Sequence, residues 1–313
     1  MDNNSIPNFL LVGAMKCGTS SLYHYLNEHP QIYLPDIKEP KLFISSTFLK
    51  KEELNNVLLK HNTSAYVHNF NDYKRLYSKV KYEIAIGEAT PHYLFTYQTT
   101  IPLIKKYLGD IKIIIILRNP INRAFSAYKH NRRYNTNTNR FNEDLSFIHA
   151  LKMEEARIQK RDYPLMFFYK NMGLYYNQVK SYKDNFSQVL VCKYEDLVND
   201  QSSLMNRIYT FLEVDNNFKP NLEVKYNVAQ SSINVNFIHK TFLNLSYSTR
   251  RKIMIIIGNI IGKHNLGRII NYLVIKDESK PDEQSTKYLK KEFKEDVLKL
   301  EKLINQDLHE WLK

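Results

Sequence analysis

Pro7 to Leu26 reads PNFLLVGAMKCGTSSLYHYL, and the fold turns on this stretch. Phe9–Val12 is a short apolar run of strand character, Gly13 and Gly18 bracket a tight loop, and Ser20–Asn27 carries a helical pattern. A strand, a glycine loop and a helix opening in that order aim unpaired helix N–H groups at one point, where the helix dipole also favours an anion. Gly13 and Gly18 have the spacing of a Walker A phosphate loop, but Thr19-Ser20 follows the second glycine where that loop has Lys-Ser/Thr. The lysine, Lys16, stands two places ahead of Gly18 instead. This is a phosphate cradle with a displaced lysine, which argues against ATP as the ligand.

Ile111–Leu117, IKIIIIL, is a β-branched run suited to a strand buried on both faces. A Walker-type NTPase places an acidic residue near such a strand end to organise Mg²⁺. Here the run leads into Arg118, Asn119 and Pro120, then a helix bearing Arg123, Ser126, Tyr128 and Lys129. Proline suits a helix start, where its missing N–H costs nothing. Arginine with a hydroxyl at a strand end is an anion site, not a metal site. Phosphate groups at two separate places and no metal requirement are expected.

Further strand candidates are Ile84–Gly87 and Val189–Val191; helical patterns cover Ile101–Leu108, Ile121–Arg133, Leu145–Gln159 and Tyr175–Asn185. The alternation predicts an α/β fold, a P-loop-like parallel β-sheet flanked by helices, with ligands at the strand carboxyl ends. Ser285–Trp311 reads as an amphipathic helix with Leu289, Phe293, Val297, Leu300, Leu303 and Ile304 on one stripe, and Ile253–Ile270 as a further helix. No Pro/Gly/Ser linker, repeat or low-complexity run divides the 313 residues. One domain over 6–313 is expected, with a nucleotide-binding core over about 6–215 and a helical C-terminal lobe over about 216–313.

Two cysteines, Cys17 and Cys192, argue against a disulfide framework and suit a reducing compartment. Residues 1–15 hold no Lys or Arg, so the basic n-region of a signal peptide is missing. Ile253–Ile261 is too short to span a bilayer and is flanked by Arg250, Arg251, Lys252 and Lys263. Burial is its preferred reading, with peripheral membrane contact left open, and a cytoplasmic location is expected. The net charge of +13 reflects in part a composition rich in Asn, Lys, Ile and Tyr, but Arg118–Arg161 alone holds ten Lys/Arg against four Asp/Glu. No nucleic-acid module is legible, so nucleic acid is not an expected partner. A donor with several negative charges accounts for such a basic cleft.

The motifs carry a family resemblance. Lys16–Leu22 (KCGTSSL) and Leu117–Tyr128 (LRNPINRAFSAY) resemble the 5′-phosphosulfate loop and the 3′-phosphate motif of sulfotransferases, which use 3′-phosphoadenosine 5′-phosphosulfate (PAPS) as donor. Lys38–Phe43 (KEPKLF), Gly87–Leu94 (GEATPHYL), Val189–Leu197 (VLVCKYEDL) and the tail from Leu289 to Trp311 are similar to segments of the carbohydrate branch, the heparan-sulfate-type enzymes and their bacterial relatives. Residues 216–280 match no segment of that branch. The resemblance implies transfer of a sulfuryl group to a hydroxyl or amine of a saccharide or saccharide-containing acceptor. The alternatives are a P-loop kinase or NTPase, and a basic polyanion-binding protein without catalysis.

In-line sulfuryl transfer builds charge on the departing phosphate, which calls for a fixed cation at the bridging oxygen and backbone donors around the phosphate. Lys16 and the N–H groups of Cys17, Gly18, Thr19, Ser20 and Ser21 fit that need, with Arg118 and Ser126 on the 3′-phosphate. The acceptor must lose a proton, so a general base is expected. The resemblance gives that role to Glu39, with Lys38 and Lys41 to keep it ionised or to bind donor and acceptor oxygens; His92 and Glu88 are second choices. Eukaryotic relatives tend to carry a lysine where Ala89 stands and to favour an apolar or other residue at Lys41, so one donor contact is either missing or supplied by Lys38 or Lys41. Tyr175 or Tyr176 matches a segment near the nucleotide and is the candidate to hold adenine. Lys276–Lys280 is the candidate for a late loop over the 3′-phosphate.

Overall fold

In the computed structural model, which describes residues 5–44, 67–133, 143–160, 163–222 and 280–313, the two apolar runs lie side by side in the middle of one sheet. Its strands are β1 (Phe9–Gly13), β2 (Ile32–Tyr33), β3 (Ala85–Ala89), β4 (Lys112–Leu117) and β5 (Val189–Lys193), all parallel, in the order β2-β3-β1-β4-β5. β1 and β4 are buried almost throughout, because both faces of a parallel sheet are covered by crossover helices.

Those helices are α1 (Thr19–Asn27), α2 (Phe70–Arg75), α3 (Tyr97–Leu108), α4 (Pro120–Arg133), α5 (Phe147–Lys152), α6 (Glu154–Lys160), α7 (Tyr175–Asn185), α8 (Tyr194–Asn199), α9 (Gln201–Leu212) and α10 (Glu283–Ile304). The chain leaves β1 toward β3 and β2 on one side and comes back to β4 on the other. The order therefore reverses between β1 and β4, and the crevice at their carboxyl ends is where an open α/β sheet takes its ligand. Both anion motifs sit there.

Several elements differ from the pattern in the sequence. The two-residue β2 and the short α2 and α8 are too brief to show a period. Leu145–Gln159 is two helices, α5 and α6, divided at Met153. The division turns Glu154 inward, where its carboxylate accepts the Lys170 and Asn171 N–H groups, each at 2.7 Å. Ser285–Trp311 is not one helix. α10 starts at the Asp282 cap, whose carboxylate accepts the Ser285 N–H at 2.8 Å, and stops at Asn305, with φ of 51°. A 3₁₀ turn, His309–Leu312, then carries Trp311 back onto the core. The stripe Leu289, Phe293, Val297 and Leu300 is buried against α7, α4 and α5, in one hydrophobic cluster with the sheet. Ile253–Ile270 and, of the Lys276–Lys280 loop, residues 276–279 lie outside the described residues. Among the described residues no helix is long and apolar enough to cross a membrane.

One buried ion pair fastens this framework to α4. The Arg157 guanidinium forks onto Glu143 at 2.7 and 3.0 Å, and the Tyr169 hydroxyl donates to the same carboxylate at 2.7 Å. Asn131 of α4 in turn donates to the Tyr169 hydroxyl at 3.0 Å. Both charges are desolvated, so Arg157→Met, which strands the carboxylate, is expected to cost about 3–5 kcal/mol in urea denaturation. Adding Glu143→Met should recover much of that loss. Additive losses would mean that the pair is not a unit.

Candidate active site

The phosphate loop runs from Gly13 to the first turn of α1. Gly18 has φ of 87°, and a Cβ there would fall 2.8 Å from Leu197 and 2.9 Å from Tyr194. Only glycine fits, on both backbone and space. As the helix cap, Gly18 offers no side chain to the opening N–H groups of α1, which leaves that turn to an outside acceptor. Lys16 is half-buried and also left-handed, with φ of 67°. Its ammonium lies 3.4 Å from His130 Nδ1, and its carbonyl accepts from Arg118 Nη1 at 3.5 Å.

Arg118 follows β4 and stacks on the Tyr194 ring at 4.5 Å, a cation–π contact that orients the guanidinium. Asn119 caps α4, its Oδ1 accepting the Ile121 and Asn122 N–H groups at 3.0 and 3.3 Å. Its own N–H goes to Glu195 at 3.2 Å and its side-chain amide to the Trp311 carbonyl at 3.4 Å. Ser126 is half-buried on α4, one turn ahead of His130.

The third group is the loop after β2. Lys38 Nζ donates to Ser20 Oγ at 2.6 Å and to Glu39 Oε1 at 3.2 Å. Lys41 Nζ and His92 Nδ1 each lie 3.8 Å from Glu39 Oε2. Burial works to raise the Glu39 carboxyl, but His92, Lys38 and Lys41 together hold it below the usual carboxylate range. His92 is pushed down to about 4, by burial first and then by Lys41 against the pull of Glu39. The imidazole is thus neutral at neutral pH, and the two lysines keep Glu39 ionised. Glu39 and Lys41, like Lys16, are left-handed, with φ of 58° and 59°. Non-glycine residues rarely adopt this conformation, and strain of this kind gathers at functional sites.

The structure therefore brings Lys16, Ser20, Lys38, Glu39, Lys41, His92 and Arg118 to the carboxyl ends of β1, β3 and β4, with Gly18, a buried Thr19 and Ser21 at the start of α1 and Ser126 on α4. Three expectations need correction. The Cys17 side chain is fully buried, with burial raising its thiol to about 11, and its N–H is taken by Ala14 O at 3.3 Å. Cys17 builds the loop and does not face a ligand. Tyr175 is fully buried too; its hydroxyl donates to Arg118 O at 3.1 Å and lies 3.7 Å from Cys17 Sγ, so it ties the two anion motifs together and offers no ring face to adenine. Glu88 is closed off from any acceptor by three hydroxyl donors. His130 and Tyr194 were not singled out by the sequence: each meets a partner more than 75 residues away, His130 lying 114 residues from Lys16 along the chain.

A strained loop lysine, an uncapped helix N-terminus and a lysine-flanked carboxylate form the kit of a group-transfer enzyme with an anionic donor. The chain belongs to the sulfotransferase domain family, whose model matches residues 7–252. It is 31% identical to a sulfotransferase of Alicyclobacillus acidocaldarius and superimposes on that crystal structure with a TM-score of 0.69, over 99% of this chain and 100% of that one. Mouse (Mus musculus) carbohydrate sulfotransferase 15 is 24% identical over 257 residues, 67% of this chain and 44% of that protein. The membrane-associated sulfotransferase kil1 of Dictyostelium discoideum is 33% identical over 123 residues, 39% of this chain and 22% of that protein. The match spans less than half the length of these two curated relatives.

Proposed function

We propose that this protein moves the sulfuryl group of PAPS to a hydroxyl or amine of a saccharide or saccharide-containing acceptor, with Glu39 as general base and no metal. The observation that carries the reading is Lys38, which joins the phosphate loop at Ser20 to the carboxylate of Glu39. Donor site and base thereby meet at one point. The acceptor oxygen or nitrogen attacks sulfur as its proton passes to Glu39. The bond from sulfur to the bridging oxygen breaks, and its electron pair stays on the departing 5′-phosphate beside Lys16 and the α1 N–H groups. Lys38 also stands in for the lysine absent at Ala89. The resemblance to the carbohydrate branch, and the likeness to carbohydrate sulfotransferase 15, support a saccharide acceptor. The two free, buried thiols support work in a reducing compartment such as the cytoplasm.

Thermal melting with adenosine 3′,5′-bisphosphate tests the donor. A ligand that binds only the native state raises its melting temperature. The bisphosphate should stabilise the protein strongly and ATP–Mg²⁺ should not; the reverse would select a kinase or NTPase, and indifference to both a polyanion binder. Arg118→Ala should weaken bisphosphate binding roughly ten- to a hundredfold, since a charge-assisted contact to phosphate is typically worth about 1.5–3 kcal/mol. An analogue without the 3′-phosphate should be almost insensitive to the change. Equal losses for both ligands would remove Arg118 from the 3′ end.

A further inference from the structure

The loop that carries Glu39 is held at each end by a tyrosine hydroxyl. At its entry Tyr23 of α1 donates to the Pro35 carbonyl at 2.6 Å. At its exit the Phe43 N–H donates to Tyr93 Oη at 3.3 Å. Between these two points Glu39 and Lys41 are both left-handed, a conformation unfavourable for a residue with a Cβ. Such a loop keeps its shape only if its ends are fixed.

The exit post differs from the entry post in having a buried carboxyl group behind it. Glu88, 1% exposed at the end of β3, accepts from Tyr93 Oη at 3.1 Å, from Tyr73 Oη at 3.0 Å and from Thr90 Oγ1 at 2.6 Å. A phenol has one proton. With that proton committed to Glu88, the oxygen of Tyr93 is left to accept, and the acceptor it presents is the one that Phe43 requires. Of the three hydroxyls on Glu88, only that of Tyr93 also meets the base loop; Tyr73 reaches the loop through ring contact with Phe43, with centroids 5.7 Å apart.

We infer that Glu88 and Tyr93 are positioning residues for the general base: Glu88 sets the polarity of the Tyr93 hydroxyl, and that hydroxyl fixes the exit of the loop so that Glu39 stays between Lys38 and Lys41. The inference rests on the reading of Glu39 as base. It assigns to GEATPHYL, at Glu88 and Tyr93, the task of aiming that base.

The test compares Tyr93→Phe with Tyr73→Phe, each of which removes one hydroxyl from Glu88 and keeps its ring. Steady-state turnover, bisphosphate melting shifts and pH–rate profiles are recorded for both. Tyr93→Phe should lower kcat about ten- to a hundredfold, as small displacements of a reacting group do. It should leave the bisphosphate shift intact and move the acidic limb of kcat upward, as Glu39 drifts from its lysines. Tyr73→Phe should hold kcat within about twofold of wild type, with its limb unmoved. Equal loss in both variants, or an unmoved limb in Tyr93→Phe, would overturn the inference. Should Tyr93→Phe fail to fold, Glu88→Gln takes its place with the same expected split. A wild-type protein without PAPS-dependent turnover would instead defeat the functional reading, an outcome that is separate.

Discussion

Glu39→Gln is expected to lower kcat by about 10²–10⁴-fold while the melting shift with adenosine 3′,5′-bisphosphate persists, because general-base catalysis is typically worth that much and the amide keeps the size of the side chain. The pH profile gives the sharper reading. The neighbours of Glu39 hold its carboxyl below the usual range, so the limb that belongs to Glu39 in the wild-type profile should appear only as pH drops through that lowered value. The glutamine variant has no group to titrate there and should show no such limb. Stability has the same sign: a depressed carboxylate contributes above its unfolded value, and that contribution is lost on acidification. His92→Ala should be the milder change, since His92 is neutral above about 4 and touches the reaction only through Glu39. Abolished turnover in His92→Ala with activity retained in Glu39→Gln would exchange the two roles.

Lys16→Ala is expected to cost about 10²–10³ in kcat, the usual loss when one fixed donor to a developing charge is removed. The bridging oxygen gains its charge as the bond to sulfur breaks, so bisphosphate affinity should change much less than rate. Alanine has the same difficulty with φ of 67° as lysine, so this variant removes the ammonium without relaxing the loop. Near-normal kcat would end the assignment. Lys38, already shared between Ser20 and Glu39, has no second position from which to replace it.

The longer local patterns of the chain were legible in the sequence. The β-branched run at 111–117 announced a central strand, the glycine spacing at 13 and 18 a tight loop between strand and helix, and Pro120 the start of α4. Glu39, Lys38 and Lys41 came from the match of KEPKLF to a family segment, and they do converge on one point. Pairings between distant segments left no such trace. Arg118 needs Tyr194 for its orientation and Lys16 meets His130, yet neither partner differs in composition from many other tyrosines and histidines of the chain. Tyr175 misled because its place near the nucleotide motifs was right while its burial was invisible: a tyrosine between two loops can tie them together as readily as it can face a base. The division at Met153 escaped for a similar reason, since Glu154 turns inward toward backbone that folds beneath it sixteen and seventeen residues later.

Asn119, which shapes the loop beside Arg118, hands one amide proton to the carbonyl of Trp311, 192 residues further along. That tryptophan also packs edge-on against Tyr175, the tie between the two anion motifs. The 3₁₀ turn at His309–Leu312 therefore touches both anion motifs, so a disturbance there reaches the two together.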